Sequence, residues 1–317
     1  MFSTDKRSAN GFEYMILKDD TTGTYVEILP ACGAILDSFY VILQGQPFNV
    51  IEGQGSPEEF KNIEATGFHG SKLSPFVCRV NKGQYHFGEN DYKFKKYYQG
   101  NNALHGLLYD QPFEIVHMGA EEDMASVVMR YSYKATDPGY PFFYDCTITY
   151  QLEKNNKLTV ITESKNMDKG LVPMQDGWHP YFTLGDKIND LQLEFQSKEM
   201  VVFNEELIPT GELKPYTSFD TLKTFGDTVY DNCFTLDFQE CQPLCVLRNP
   251  SKKIEVEIHP DASYPYLQFY TPPHRNSIAI ENISSAPDAF NNNMGGRILQ
   301  PGEAATFKTI FKVTLLS

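Results

Sequence analysis

Seven histidines are the residues of this 317-residue chain best suited to move a proton near neutral pH, and their surroundings differ. His259 falls on the outward side of an alternating strand, His117 continues Glu114-Ile115-Val116, and His86 follows the turn at Lys82-Gly83. His274 follows Pro272-Pro273 in a loop, and His69 sits between glycines in Gly67-Phe68-His69-Gly70, which favours a loop position. His105 and His179 stand apart. His105 ends an Asn-rich turn, Asn101-Asn102-Ala103-Leu104-His105-Gly106. His179 follows the only tryptophan, in Asp176-Gly177-Trp178-His179-Pro180-Tyr181-Phe182. A residue before proline is held extended, so its side chain stands normal to a sheet. Aromatic neighbours would wall that imidazole from water, as a tuned acid requires. Two structural histidines in aromatic packing fit the same residues.

Among the carboxylates, Glu281 is distinguished by its place in Ser277-Ile278-Ala279-Ile280-Glu281-Asn282. Ile278 and Ile280 take one face of a strand, and Glu281 shares the other with a small residue, a position from which it projects into a groove. Asp231, in Val229-Tyr230-Asp231-Asn232-Cys233-Phe234, is half of a polar pair between apolar residues. Either carboxylate alone reads equally as a strand end or a turn. Other chemical templates fail. There is no G-x-S-x-G elbow and no phosphate-binding loop, and Gly53-Gln54-Gly55 lacks the third glycine of a dinucleotide fingerprint. No H-E-x-x-H or H-x-H pattern offers a metal site.

The elements that must position these residues have a period of two. Residues 144–152 alternate apolar and polar at every position, Lys154-Asn155-Asn156-Lys157 reads as a turn, and residues 158–164 as the returning strand. Residues 253–259 and 305–315 alternate likewise. No long segment has a period of 3.6; short helical turns are expected only at residues 57–61 and 287–291. The pattern predicts an all-β chain of large packed antiparallel sheets, and no linker divides it, so residues 1–317 are expected to form one domain. A sheet pair of that size can curve and present a concave face as a substrate groove.

Composition narrows the function classes. With 27 Lys+Arg against 41 Asp+Glu the formal charge is −14, which argues against nucleic acid or an anionic membrane as partner. No run approaches the roughly 18 apolar residues of a membrane span, and Met15-Ile16-Leu17 is too short for a signal-peptide core, so a cytoplasmic location is expected. The six cysteines are scattered and read as buried free thiols; Cys241 and Cys245, at C-x3-C spacing, lack a fourth ligand for zinc. The 23 Phe and 19 Tyr suit strands and sugar sites alike.

Six stretches, in order, resemble the aldose 1-epimerase (galactose mutarotase) family over roughly residues 10–317. They are Leu73-Ser74-Pro75-Phe76-Val77-Cys78-Arg79-Val80 with Gly83-Gln84-Tyr85-His86-Phe87, then Asn102-Ala103-Leu104-His105-Gly106-Leu107, then His179-Pro180-Tyr181-Phe182-Thr183-Leu184. Asp231-Asn232-Cys233-Phe234 follows, then Ile280-Glu281-Asn282 with Pro287-Asp288-Ala289-Phe290-Asn291, and last Gly296-Arg297-Ile298-Leu299-Gln300-Pro301-Gly302-Glu303. The resemblance implies a galactose mutarotase-like supersandwich. It implies His179 as general acid, Glu281 as general base, and Arg79, His105 and Asp231 as substrate-binding residues. Cys78 stands where the family usually has Asn, and Asn282 where it often has Pro.

Exchanging anomers requires a base at the C1 hydroxyl and an acid at the ring oxygen, roles that a carboxylate and an imidazolium can fill, each contributing about 10²–10⁴-fold. No redox change or group transfer occurs, so no cofactor or metal is expected; the expected partner is a small-molecule sugar, and the chain is expected to be a monomer or homodimer. Three alternatives stay open. One is an epimerase of a phosphorylated or modified sugar, with Lys93, Lys95, Lys96 and Arg275 as candidate charges. The others are a non-catalytic carbohydrate-binding module and a glycoside hydrolase using Asp231 and Glu281. Trp178, Tyr181, Phe182 and Phe290 are expected beside the catalytic pair.

Overall fold

The structure, a computed structural model, describes residues 1–317, the side chain of Ala65 excepted. Period-two patterning becomes strand as expected. Phe143–Glu153 buries Tyr144, Cys146, Ile148, Tyr150 and Leu152 on one side and leaves the intervening residues half-exposed. Asn155 and Asn156 take left-handed φ of 64° and 53°, a conformation asparagine tolerates, and the chain returns as Lys157–Asn166.

These strands belong to a nine-stranded antiparallel sheet. Its order is Glu114–Ala120, Met124–Lys134, Phe143–Glu153, Lys157–Asn166, Ala304–Leu315, Ile254–Pro260, Cys245–Asn249, Gln192–Phe195 and Lys223–Thr224. A second sheet runs Pro209–Pro215, Ser197–Phe203, Asp231–Leu236, Tyr266–Tyr270, Ile278–Ile283, Gly177–His179 and Ser71–Leu73, with Tyr181–Phe182 also paired to Ile278–Ile283. The first fifty residues add a third, five-stranded meander. Its tight turns are explained by Asn10-Gly11 and Gln44-Gly45, all at positive φ, as a two-residue hairpin of this hand requires.

The two large sheets meet through side chains of both. Phe182 packs edge-on to Phe311, Thr309 donates to Asn282 Oδ1 at 2.6 Å, and Lys72 Nζ reaches Thr162 Oγ1 at 3.2 Å. The main hydrophobic cluster draws on residues from Phe2 to Val313. Helix is confined to Pro57–Lys61, Ile63–Thr66 and Ala289–Asn292. The first carries Pro57 at its start, and Glu59 N donates to Ser56 Oγ in a capping contact. The last begins two residues later than expected, at Ala289, because Asp288 takes a left-handed φ of 60° and its side chain accepts from Asn81 N and Asn291 Nδ2. No helix among the described residues is long and apolar enough to cross a membrane. All six cysteines are free, and only Cys241 is exposed.

Candidate functional site

The site forms on the face of the second sheet turned away from the nine-stranded one. In Ile278–Ile283, Ile278, Ile280 and Asn282 point into the sandwich, so Glu281 points out with Ala279 and Ile283. Cross-strand register sets its neighbours. Gln268 lies directly opposite Glu281, Cys233 opposite Gln268, and Asp231 opposite Tyr270 one step along the same face. His179 ends its short strand beside them, its carbonyl fixed by Gly70 N at 2.9 Å.

Two loops complete the wall. Cys78 and His105 both adopt left-handed φ, 46° and 59°, and His105 N donates to Cys78 O at 2.8 Å. That contact locks the Arg79 turn to the His105 turn. Gly106 follows because a Cβ there would lie 2.4 Å from Ser74 O, closer than any side chain permits.

The five residues expected from sequence therefore converge. Arg79, His105, His179, Asp231 and Glu281 line one open cleft. His179 Nε2 is 3.3 Å from Glu281 Oε1, and both side chains are almost wholly buried. His105 meets His179 edge-on with ring centroids 5.0 Å apart. Tyr181 stacks on the other side of His179 at 5.1 Å and anchors its hydroxyl on Gly67 O at 2.8 Å. Arg79 donates to Gln99 Oε1 at 3.0 Å. Gln268 Nε2 donates to Asp231 Oδ1 at 3.0 Å. His105 Nδ1, His179 Nδ1, Gln268 Oε1 and Glu281 Oε2 are buried without a hydrogen-bond partner, so the site presents unmet polar groups.

Burial dominates the electrostatics. It pushes the Glu281 carboxyl well up, with the nearby Asp231 charge adding and Arg79 opposing. It pushes His179 down to about 3. His105 is held well down by burial and by the charges of His179 and Arg79. Asp231 is raised by burial against the pull of Arg79 and Gln268. Burial thus works against the charged form of each partner and favours the neutral form of the pair, with the proton on the carboxyl. The ionised pair, with Glu281 negative and His179 positive, differs only by transfer of that proton across the 3.3 Å gap.

Gln268 is a cleft residue that sequence reading missed. The available signal was its polarity in the otherwise apolar or aromatic run Tyr266–Tyr270, but only register shows that it faces Glu281. Of the four aromatics expected beside the pair, only Tyr181 is there. Trp178 neighbours His179 in a strand and so points to the opposite face, where it packs on Tyr150 and under the Lys72 ammonium. Phe182 is in the core against Phe311, and Phe290 packs on Tyr85. Phe68 and Tyr270 line the cleft in their place.

The candidate phosphate-binding charges lie outside the cleft. Lys96 is occupied by Asp110, Leu107 O and the Tyr109 ring. Arg275 donates to Asn189, Thr228 O and Gly226 O. Lys93 and Lys95 are solvent-exposed. Among the described residues no cluster of three His, Cys, Asp or Glu is arranged to hold a metal.

Comparison with known proteins agrees with this geometry. The Aldose 1-epimerase family model matches residues 16–312. A maltose epimerase from Levilactobacillus brevis is 23% identical over 322 residues, spanning 91% of each chain. An aldose 1-epimerase from Streptococcus thermophilus is 26% identical over 219 residues, 66% of this chain and 61% of its own. Among solved structures, a galactose mutarotase-like protein from Clostridium acetobutylicum superposes with a TM-score of 0.87 at 14% identity, covering 99% of this chain and 98% of its own. A galactose 1-epimerase from Lactobacillus acidophilus gives 0.83 at 20% identity over 100% and 99% of the two chains. On its sequence match from residue 16 to 312 and its shared fold, the chain belongs to the aldose 1-epimerase family of isomerases.

Proposed function

We propose that the protein interconverts the α and β anomers of a free, neutral aldohexose by acid–base ring opening. The observation that carries this reading is the buried His179–Glu281 contact, a carboxyl group and an imidazole 3.3 Å apart in the lining of the cleft. In the ionised form of the pair, Glu281 accepts the proton of the C1 hydroxyl while His179 delivers one to the ring oxygen. The C1–O5 bond breaks, leaving an open-chain aldehyde and a C5 hydroxyl. Rotation about C1–C2 and the reverse proton transfers close the other anomer, and the pair ends with the proton it began with. Asp231, Gln268 and Arg79 offer acceptors and donors to the remaining hydroxyls and hold the sugar while C1 turns. His105, edge-on to His179, supports the imidazole from the far side. A hydrolase would need two carboxylates placed to flank a glycosidic bond; here Asp231 is tied to Gln268, and Glu281 faces an imidazole instead.

Gln99 and Glu64 add further polar side chains to the cleft lining. With a maltose epimerase among the relatives, a reducing disaccharide is the second substrate class. Polarimetry on freshly dissolved α-D-galactose, α-D-glucose and maltose tests both readings. Purified protein is expected to accelerate the change in optical rotation for at least one of them. No acceleration with any of these or other aldoses rules the activity out.

A further inference from the structure

Away from the catalytic cleft, four segments, residues 173–175 among them, border a second cavity of about 720 Å³. Tyr85 and Phe87 come from the strand Gln84–Phe87, Phe290 from the helix Ala289–Asn292, and Arg297 and Ile298 from the strand Arg297–Leu299. The Tyr85 and Phe290 rings lie 4.8 Å apart and make an aromatic wall. Ile298, 58% exposed, extends the apolar surface at the edge of the cavity.

Two polar groups in this wall are unmatched. Gln175 lines the cavity; its Oε1 accepts from Val77 N at 3.2 Å, while its buried Nε2 has no partner. A buried donor without an acceptor is disfavoured, so this amide gains if a small side-chain shift brings it to an acceptor in the cavity. Arg297 is exposed and forms no ion pair among the described residues, although the chain carries 41 acidic side chains. Its guanidinium stands 5.6 Å from the centre of the Phe307 ring. An apolar aromatic wall beside an unneutralised guanidinium complements an anion with an apolar body.

We propose that this cavity is a second ligand site, separate from the catalytic cleft, for a small carboxylate with a planar apolar body. The body lies against Tyr85, Phe87 and Phe290, and the carboxylate pairs with Arg297, within reach of the unpartnered Gln175 amide once that side chain shifts. The walls are already fixed. Gln175 N donates to Pro75 O at 2.8 Å, and Asp288 N, just before the helix, donates to Arg79 O at 2.7 Å, so little ordering is required on binding.

Phenylacetate is the probe. Titrated into the 15N-labelled full-length protein saturated with galactose, it is expected to give saturable shifts with a dissociation constant on the order of millimolar, as suits a ten-atom ligand. Benzyl alcohol, which has the ring without the charge, is expected to bind at least about fivefold more weakly. Arg297→Gln and Ile298→Glu, both at exposed positions, are each expected to weaken phenylacetate by a similar factor. The proposal is overturned if phenylacetate gives no saturable shifts, if galactose displaces it, if benzyl alcohol binds equally well, or if neither substitution changes its affinity. The comparison of the two ligands uses the unmodified protein, so it decides the matter even where a variant fails to fold.

Discussion

The proposed catalytic pair, His179 and Glu281, is poised by burial more than by charge. Glu281 is 1% exposed and His179 4%, and each is pushed towards its neutral form, the acid upward and the base downward. The pair works while it holds one proton. Falling pH stops it by adding a second proton to His179, and rising pH by removing the proton that Glu281 holds. With His179 near 3, kcat/KM is expected to stay level from pH 7 down to about pH 4, whereas an unperturbed histidine would bend the profile near 6.5. An acid limb near pH 6.5 would show that His179 is solvated in the working enzyme. Glu281→Gln and His179→Asn are each expected to cut kcat by about 10²–10⁴-fold, read by polarimetry, with the alkaline limb missing in Glu281→Gln.

At the level of elements, the short strand that ends in His179 is held from behind by a buried ion pair. Lys72 Nζ lies 2.5 Å from Asp176 Oδ1, and both side chains are fully buried. Lys72 also reaches Thr162 Oγ1 and Gly177 O, and Tyr264 OH donates to the same carboxylate oxygen at 2.6 Å. Lys72 pairs with Trp178 across the strands Ser71–Leu73 and Gly177–His179, so the cluster fixes the register that aims His179 at Glu281. Lys72→Met strands the Asp176 charge and is expected to destabilise by about 3–5 kcal/mol in urea unfolding. Lys72→Met/Asp176→Leu/Tyr264→Phe removes both charges and the tyrosine hydroxyl, leaving only the neutral Thr162 hydroxyl and Gly177 O without their lysine partner, and is expected to recover most of that loss. A triple variant as unstable as the single one would mean that the cluster is worth more than its desolvation cost. This part of the molecule also shows what a sequence can reveal. Alternation is local, so the strand Phe143–Glu153 and the outward face of Glu281 were legible. Chain neighbourhood misplaced Trp178, since adjacent strand residues face opposite ways, and Gln268 was hidden because its facing partner is 13 residues away and is set by strand pairing. Arg79, His105, His179, Asp231 and Glu281, which line one cleft, were grouped in the sequence only through a family resemblance; nothing in their spacing predicts that they meet.

Over the whole molecule the charge balance bears on substrate choice. A net charge of −14 gives a surface field that opposes anions, and the cleft does little to reverse it. Arg79 is the one arginine or lysine among the residues lining the cleft, and it shares that lining with Glu64, Asp231 and Glu281. The four cations that could have held a phosphate are either exposed away from the site or bound to their own partners. A hexose 6-phosphate must therefore approach against the global field and bring its dianion to a cleft with a single guanidinium already bonded to Gln99. At low ionic strength kcat/KM for glucose 6-phosphate is expected to fall at least about tenfold below that for glucose. Salt discriminates the cause. Raising ionic strength from 0.01 to 1 M shortens the Debye length from about 30 to about 3 Å, so a penalty from the global field should shrink, whereas one from the cleft itself should persist. Faster turnover of the phosphate at low salt would require a cation reaching the cleft from outside its present lining, and would shift the substrate class from free to phosphorylated sugars.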